Sequence, residues 1–580
     1  MKRKVICMIL IIAVSTQLFT GCKIFSKNSK TDCPYEDFIV VDVFDALANM
    51  QGIQSGWFGK IIKDKFNMEL NIIAPNIAGC GDTLFDIRTA SGSVGDLIIF
   101  GTENGDLQKL VEEGLILDMS ELLKDKPILQ YQDAICSLNE KLLKDGIFAI
   151  PSEISTLSPT QPSEGLELTF GPYLRWDVYG SVGYPKMSTL EDLLPVLGQM
   201  QQALPNTESG NKTYGFSFFK DWDANLMNAA KQPACFYGYD ELGFVLAKAD
   251  GSDYQSIIDA DSLYMRNIRL YYNANQLGLV DPDSSTQTYQ EISEKYRDGS
   301  ILYSPWPWLC QSEFNTSENK SLGKGYMLAP IDDMQIFSYG CNKKGNQKTV
   351  IGIGSQAKDP QRMADFIDWL YSPEGIQIAC AQPSNGTAGP KGLTWEMGEG
   401  GPYLTEFGKK ALLESDTRVP EEWGGGTWLD GVSQLNLKII SQNDLDPKGY
   451  PYYYNLWDSY LTMDNTPLDV DWRTHLNTDV SSTRKYLEEN NQIIVAPGND
   501  YITPTTTSDI TTMRSQCRSV IVDYSWNMIF ARNNESYNGL YDEMLNKLQA
   551  FGYDKVYAED LKNAKEQDKA RKEAAAVAAN

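Results

Sequence analysis

The sequence predicts an α/β protein folded as two lobes, and three observations predict it. The chain has 580 residues, more than one hydrophobic core normally serves, so two or more lobes are expected. From residue 37 onward, short β-branched runs alternate with segments of helical spacing, the pattern of a mostly parallel sheet covered by helices. Near Pro151 the alternation pauses in a Ser/Thr/Pro-rich stretch that runs to Pro162, as a crossing between lobes does.

Folded structure is expected to open at Asp37, where Phe38 to Phe44 (FIVVDVF) reads as a buried strand. Trp57, Ile61, Ile62 and Phe66 recur near helical spacing, and Leu70, Ile72 and Ile73 begin a second strand, which makes a strand–helix–strand unit. Asp96 to Phe100 is another strand, and Asp106 to Glu113 a helix closed by Gly114. Beyond the crossing, Leu190 to Leu204 reads as a helix, Tyr264 to Leu277 as an amphipathic helix ended by Gly278, and Ile301 to Tyr303 as a short strand before Pro305. Val350 to Ile353 leads to a helix from Pro360 to Tyr371 with Met363, Phe366, Ile367 and Leu370 on one face. Loops rich in Pro and Gly fill 383–402 and 420–431, and helical runs follow at 515–531 and 541–551. The expected division is 37–151 with 330–380 in lobe I, 152–329 with 381–560 in lobe II, and a charged, Ala-rich tail at 561–580 that frays. No repeat of solenoid period is present.

The first 36 residues read as an address. Lys2, Arg3 and Lys4 precede an apolar run from Val5 to Phe19, and Leu18-Phe19-Thr20-Gly21-Cys22 follows the pattern of a lipobox. The run is too short and too interrupted by Ser15, Thr16 and Gln17 to span a bilayer. Residues 1–21 are therefore expected to be a lipoprotein signal peptide, and Cys22 to take a diacylglycerol thioether that holds the protein on the extracytoplasmic face of the cell membrane. Lys23 to Pro34 is polar and suits a flexible tether, so 22–36 is read as lipidated Cys plus tether.

Charge and rare residues exclude several functions. The net charge is −26, and loss of the three basic residues at the start makes the exported form more acidic still. Such a surface repels phosphate backbones and anionic headgroups, so no nucleic acid is expected and attachment must be by lipid. Of ten cysteines, Cys7 and Cys22 lie in the leader and lipobox, and the other eight show no CxxC pair; they read as free thiols, with at most a disulfide of unknown pairing, rather than zinc ligands. His475 is the only histidine, with no nucleophile elbow or metal-ligand spacing around it, and reads as an ordinary surface or packing residue. Neither a Walker A loop nor a GxGxxG occurs. Carboxylates are numerous, so a glycosidase pair, defined by separation in space, stays open.

Five stretches, in order, carry a resemblance. They are Asp96 to Phe100 with Leu110 to Asp118; Phe148-Ala149-Ile150-Pro151; Tyr173-Leu174-Arg175-Trp176-Asp177 with Pro185 and Ser188 to Leu193; Asp298 to Trp306; and Ala364 to Gly375. In this order the chain resembles the family 1 extracellular solute-binding proteins of ABC transporters, the maltose-binding-protein-like class, and in length the long oligosaccharide-binding lipoproteins. The resemblance implies a type II periplasmic-binding-protein-like fold with a hinge between the lobes and an extended helical C-terminal part. It also implies ABC permease subunits as membrane partners, a separate ATPase, and a monomer. In that subgroup a calcium loop often follows the helix matching Leu190 to Leu204. Here the matching stretch, Pro205 to Thr213, has one carboxylate, Glu208, where a hard cation wants several; no cofactor is expected, and calcium is disfavoured.

Candidate ligand contacts follow from the aromatics. Twelve tryptophans and thirty-one tyrosines offer flat faces for the C–H surfaces of pyranose rings. Trp306 and Trp308, together with Tyr303 at the end of the short strand before them, are candidates because ligands sit beyond strand ends in open α/β sheets. By the same rule Glu103 and Asn104 are hydroxyl partners from lobe I, or a helix N-cap. Arg175 and Asp177 either orient a sugar or pair with each other. Trp428, from the Gly-rich run Trp423 to Trp428, and Trp57, Trp222 and Asp430 complete the set, with core packing or solvent exposure as the alternative for each. The function expected is capture of an oligosaccharide between lobes by hinge closure, without catalysis; the competing readings are a carbohydrate-degrading lipoprotein enzyme and a peptide-binding lipoprotein.

Overall fold

The computed structural model describes residues 33–579 apart from 76, 78–81, 103–104, 383–385, 414–416, 462–464 and 481. The expected signal peptide, Cys22, Glu103 and Asn104 lie outside the described residues. Among the described residues no helix is long and apolar enough to cross a membrane.

The first core is built on both faces of one sheet. Strands β1 (Ile39–Asp45), β2 (Gly52–Ile53), β3 (Met68–Ile73), β4 (Leu97–Gly101), β5 (Ile150–Ser152) and β13 (Asn346–Ile353) order as β2-β3-β1-β4-β13-β5. The β1–β3 and β1–β4 pairs are parallel, and β13 runs antiparallel to β4 and β5. Side chains alternate across a strand. Leu97 and Ile99 therefore join Trp57, Met363 and Ile367 on one face, while Ile98 and Phe100 join Leu107, Leu110 and Phe148 on the other. Burial on both sides explains the unbroken apolar run Leu97–Phe100. The helix Gly56–Phe66 buries Trp57, Phe58, Ile62 and Phe66 and stops at Asn67, which takes the left-handed conformation at φ 46°.

A second core gathers smaller sheets under more helices. Strand β6 (Tyr173–Arg175) lies between β10 (Tyr303–Ser304) and β11 (Tyr326–Leu328), antiparallel to both. Strands β7 (Tyr239–Leu242), β8 (Val245–Lys248) and β9 (Tyr254–Ser256) form a meander, and β12 (Ile336–Tyr339) pairs in parallel with β16 (Ile493–Ala496). Helices Leu263–Gln276 and Ser508–Ile529 pack on this core.

The expected lobe boundaries need correction. The segment from Ala388 to Trp457, assigned to lobe II, buries Leu393, Leu412, Trp428, Ile439, Tyr454 and Trp457 in the first core. It includes the hairpin β14 (Trp395–Gly398) and β15 (Gly401–Leu404). Its Gly- and Pro-rich loops carry no periodicity that would show which core they serve. Conversely, Ile331, Met334, Ile336 and Phe337, assigned to lobe I, belong to the second core.

The chain passes between cores in segments that run side by side. Ser163 N donates to Tyr339 O at 2.7 Å, Cys341 N to Gln161 O at 2.8 Å, and Gly340 N to Ala496 O at 2.8 Å. Asp444, from the first-core segment, accepts Thr156 N at 2.7 Å and the hydroxyls of Ser155 and Thr156.

The tail is also corrected. Tyr553–Ala579 is one continuous helix, and Val556, Asp560, Asn563, Ala564, Gln567, Asp568 and Arg571 are buried along it. These recur every three to four residues, a helical stripe. The stripe is polar, so in sequence it reads as a solvated tail. It lies against the β7–β8–β9 meander, whose turns carry Gly243 (φ 61°) and Gly251 (φ 65°). A Cβ at either would stand within 2.2 Å of the Asp560 or Asp568 carboxylate, so both turns need glycine for space as well as for φ.

Asp560 accepts Arg514 Nη1 at 2.8 Å and Phe244 N at 2.8 Å, and bonds Arg514 Nη2 as well. Removing one partner of such a buried pair leaves the other charge uncompensated. Asp560→Ala is expected to lower unfolding free energy by about 3 kcal/mol, read from the denaturant midpoint; a loss below about 0.5 kcal/mol would show the helix to be peripheral.

Candidate functional site

The second lobe holds a group of five aromatic rings. Trp222 stacks on Tyr289 at 4.9 Å between centroids and meets Trp308 at 5.7 Å, Trp306 at 5.9 Å and Phe219 at 4.8 Å. Trp306 meets Trp308 at 6.0 Å. Phe219 and Trp306 are buried, whereas Trp222, Tyr289 and Trp308 are half-buried. Two rings thus back a surface that three others present.

Local sequence explains the placement. Ser304 ends β10, and its hydroxyl accepts Trp306 N and donates to Trp306 O, a tight turn just past the strand. Pro307 then opens the helix Pro307–Phe314, with Trp308 in its first turn. Tyr289 starts the helix Tyr289–Asp298, whose capping box is Thr288 with Glu291. Tyr289 N donates to Asp221 at 2.7 Å, which ties that helix to the Asp221-Trp222-Asp223 turn.

Three of the sequence candidates, Trp222, Trp306 and Trp308, are therefore brought together. Phe219 and Tyr289 were missed; the run Phe218-Phe219 beside Trp222 was a usable signal, while Tyr289 carried none. Tyr303 is corrected: its ring packs on Phe216 at 5.1 Å within the core and its hydroxyl is buried without a partner. Trp57 and Trp428 are corrected as well. They stack on each other at 4.5 Å in the first core, 0% exposed, and Trp57 Nε1 donates to Trp428 O at 3.0 Å. Asp430 is exposed beside them, with its backbone N donating to the Thr427 hydroxyl.

Arg175 and Asp177 take the pairing role. Arg175 donates through Nε and Nη2 to both Asp177 oxygens, at 3.1 and 2.8 Å, and through Nη1 to Gly299 O at 2.7 Å. Its guanidinium lies 4.0 Å above the Phe314 ring. Because β10 runs antiparallel to β6, Ser304 lies opposite Tyr173, which puts Arg175 and Trp306 off opposite ends of the sheet.

The stretch Pro205 to Thr213 is closed by Asp298. That carboxylate accepts the Thr207 hydroxyl at 3.0 Å, Asn211 Nδ2 at 3.1 Å and the Ser209 hydroxyl, while Glu208 pairs with Lys324. Donors turned onto one carboxylate are a poor fit to calcium, which wants several oxygens facing inward. Among the described residues no His/Cys/Asp/Glu group has metal-holding geometry. The seven described cysteines are all free. His475 stacks on Tyr184 at 3.9 Å as a packing residue, and burial lowers its pKa.

No protein-family model matches the chain, and no curated protein matches its sequence. Solved structures do match in fold. The alginate-binding protein AlgQ2 without calcium ion aligns at a TM-score of 0.58 and 13% identity, over 93% of this chain and 100% of that one. The ABC-transporter substrate binding protein FusA of S. pneumoniae, in complex with kestose, aligns at 0.55 and 15% identity, over 91% and 99%. An HMO binding, ABC-transporter associated solute binding protein from Bifidobacterium longum infantis aligns at 0.54 and 14% identity, over 91% and 99%. The fold is thus the two-lobe α/β fold of these solute-binding proteins.

Asp223, next to Trp222, accepts Trp526 Nε1 at 2.7 Å and Asn228 N at 2.8 Å. Burial nonetheless raises its pKa to about 6. A raised carboxyl pKa means the folded state holds the proton more tightly than the unfolded, so this contribution falls as pH rises from about 4 to about 6. Asp223→Asn is expected to flatten that part of the stability–pH curve, measured by thermal unfolding; an unchanged slope would refute the assignment.

Proposed function

We propose that this chain is the lipid-anchored, extracytoplasmic substrate-binding subunit of an ABC importer, and that it captures an oligosaccharide. The observation that carries the reading is the Trp222–Tyr289–Trp308 surface, backed by Trp306 and Phe219, on a two-core fold. Pyranose rings turn apolar C–H faces to such rings while polar groups bond the hydroxyls. The names of the structural neighbours speak of alginate, kestose and HMO, which supports a carbohydrate ligand here. Ligand held by both lobes would favour a closed form, which permease subunits with a separate ATPase would then read. No bond is made or broken in this scheme. Cys22 supplies the lipid anchor and the following residues the reach, which keeps a monomeric binder near its membrane partner.

The test is calorimetric titration of the purified chain with oligosaccharides of two to eight units. Trp222→Ala and Trp308→Ala are each expected to weaken binding about tenfold, and Trp57→Phe, in the first core, to leave affinity unchanged. Absence of binding to every glycan sinks the proposal, and hydrolysis of one would favour the enzyme reading. Cys22→Ala should move the protein from the membrane fraction to the medium with its sugar affinity intact; loss of binding together with the anchor would contradict the separation of tether and lobes.

A further inference from the structure

Between the lobe crossings and the C-terminal helix lies a cavity of about 100 Å³. Its walls include Glu153 from the first crossing, Asn342 and Asn346 from the second, Asn499 beyond β16, and Gln567 and Arg571 from the helix Tyr553–Ala579. Arg571 is 7% exposed and Gln567 4%.

The guanidinium of Arg571 is the anomaly. Among the described residues it forms no ion pair and no hydrogen bond, its Nε is buried without a partner, and the ring of Phe337 lies 6.0 Å from it. The carboxylates nearby are engaged elsewhere. Asp568 pairs with Lys572 at 2.6 Å, and Asp240 with Lys231 at 3.0 Å and the Tyr339 hydroxyl at 2.8 Å. Glu153, on the opposite wall, has Lys438 at 3.9 Å. Among the described residues the Gln567 side-chain amide has no partner either. A buried cation without a direct partner is costly, and burial depresses its pKa against the longer-range attraction of Asp240 and Asp568. Where a guanidinium is retained in such a place, its fork geometry matches two oxygens of one small anion.

We propose that this cavity is a binding site for a small oxyanion, a carboxylate or phosphate group, held by Arg571 with help from Gln567. The site joins the C-terminal helix to the segments that pass between lobes, and it is separate from the aromatic surface. The volume admits one such ion, since a single water takes about 30 Å³.

The experiment is thermal unfolding of the full purified chain, with phosphate or acetate exchanged for chloride at constant ionic strength. The proposal expects a saturable rise in melting temperature of about 2–4 °C, absent in Arg571→Gln. A response to phosphate alone assigns a phosphoryl source and to acetate alone a carboxylate source; either supports the site. Glu153→Gln, which removes the negative wall, is expected to shift half-saturation to lower concentration. If Arg571→Gln does not fold, Arg571→Lys keeps the charge without the fork and should raise half-saturation about tenfold. No saturable response, or the same response in both Arg571 variants as in the original chain, would show that the cavity holds water only and overturn the proposal.

Discussion

Two separate apolar cores, tied together along their crossing segments, set what this molecule can do. Each core is closed by its own apolar side chains, so neither needs the other for its interior. They are joined by a band of backbone hydrogen bonds among residues 161–163, 339–341 and 496, with Asp444 fastening Ser155 and Thr156 at its edge, and by the stretch beyond β16, where Asp500 accepts the Ser137 hydroxyl and Ile502 packs on the Leu107 face. Chain segments bonded side by side in this way resist being pulled apart.

That division also explains where a ligand surface can be afforded. A tryptophan in a closed interior, such as Trp57 against Trp428, is exhausted by its neighbours. The Trp222 group is assembled differently. Its buried members, Trp306 and Phe219, fix the positions of rings that keep one side open, and the Ser304 turn and the Thr288 capping box fix those in turn. Such pre-set rings would lose little rotamer freedom against a ligand, so more of the contact energy would appear as affinity.

Much of this was legible in the sequence wherever one face of an element was apolar. The strand at Asp96–Phe100, the helix holding Trp57 and Phe66, and the helix from Pro360 announce themselves by period, because their burial is hydrophobic. The signal fails where burial is polar or aperiodic. The helix Tyr553–Ala579 hides Asp560, Asn563, Gln567 and Arg571, residue types whose presence on a stripe looks like solvation until a partner surface is known. Ala388 to Trp457 packs through loops, and loop packing leaves no period. The site was half legible for the same reason: a tryptophan's sequence neighbours indicate the turn it sits on, but not whether another ring will cover it. Trp306 and Trp428 look alike in their Gly- and Pro-rich settings, yet only one joins an open surface.

The polar stripe of the C-terminal helix raises a question of purpose that apolar packing would not. Hydrophobic residues of similar volume would hold a helix to the β7–β8–β9 meander at least as well, since buried charges recover little after desolvation. They would not fix its register. Gly243 and Gly251 each receive one carboxylate at a spacing of two helical turns, and Arg514 grips the first of these, so a slip of one residue would break both contacts at once. Register matters here because the same helix delivers Gln567, just before Asp568, and Arg571, one turn beyond it, to the crossings. A sliding apolar helix could stabilise the second lobe equally well, but it could not hold a guanidinium at a fixed place beside the crossing segments.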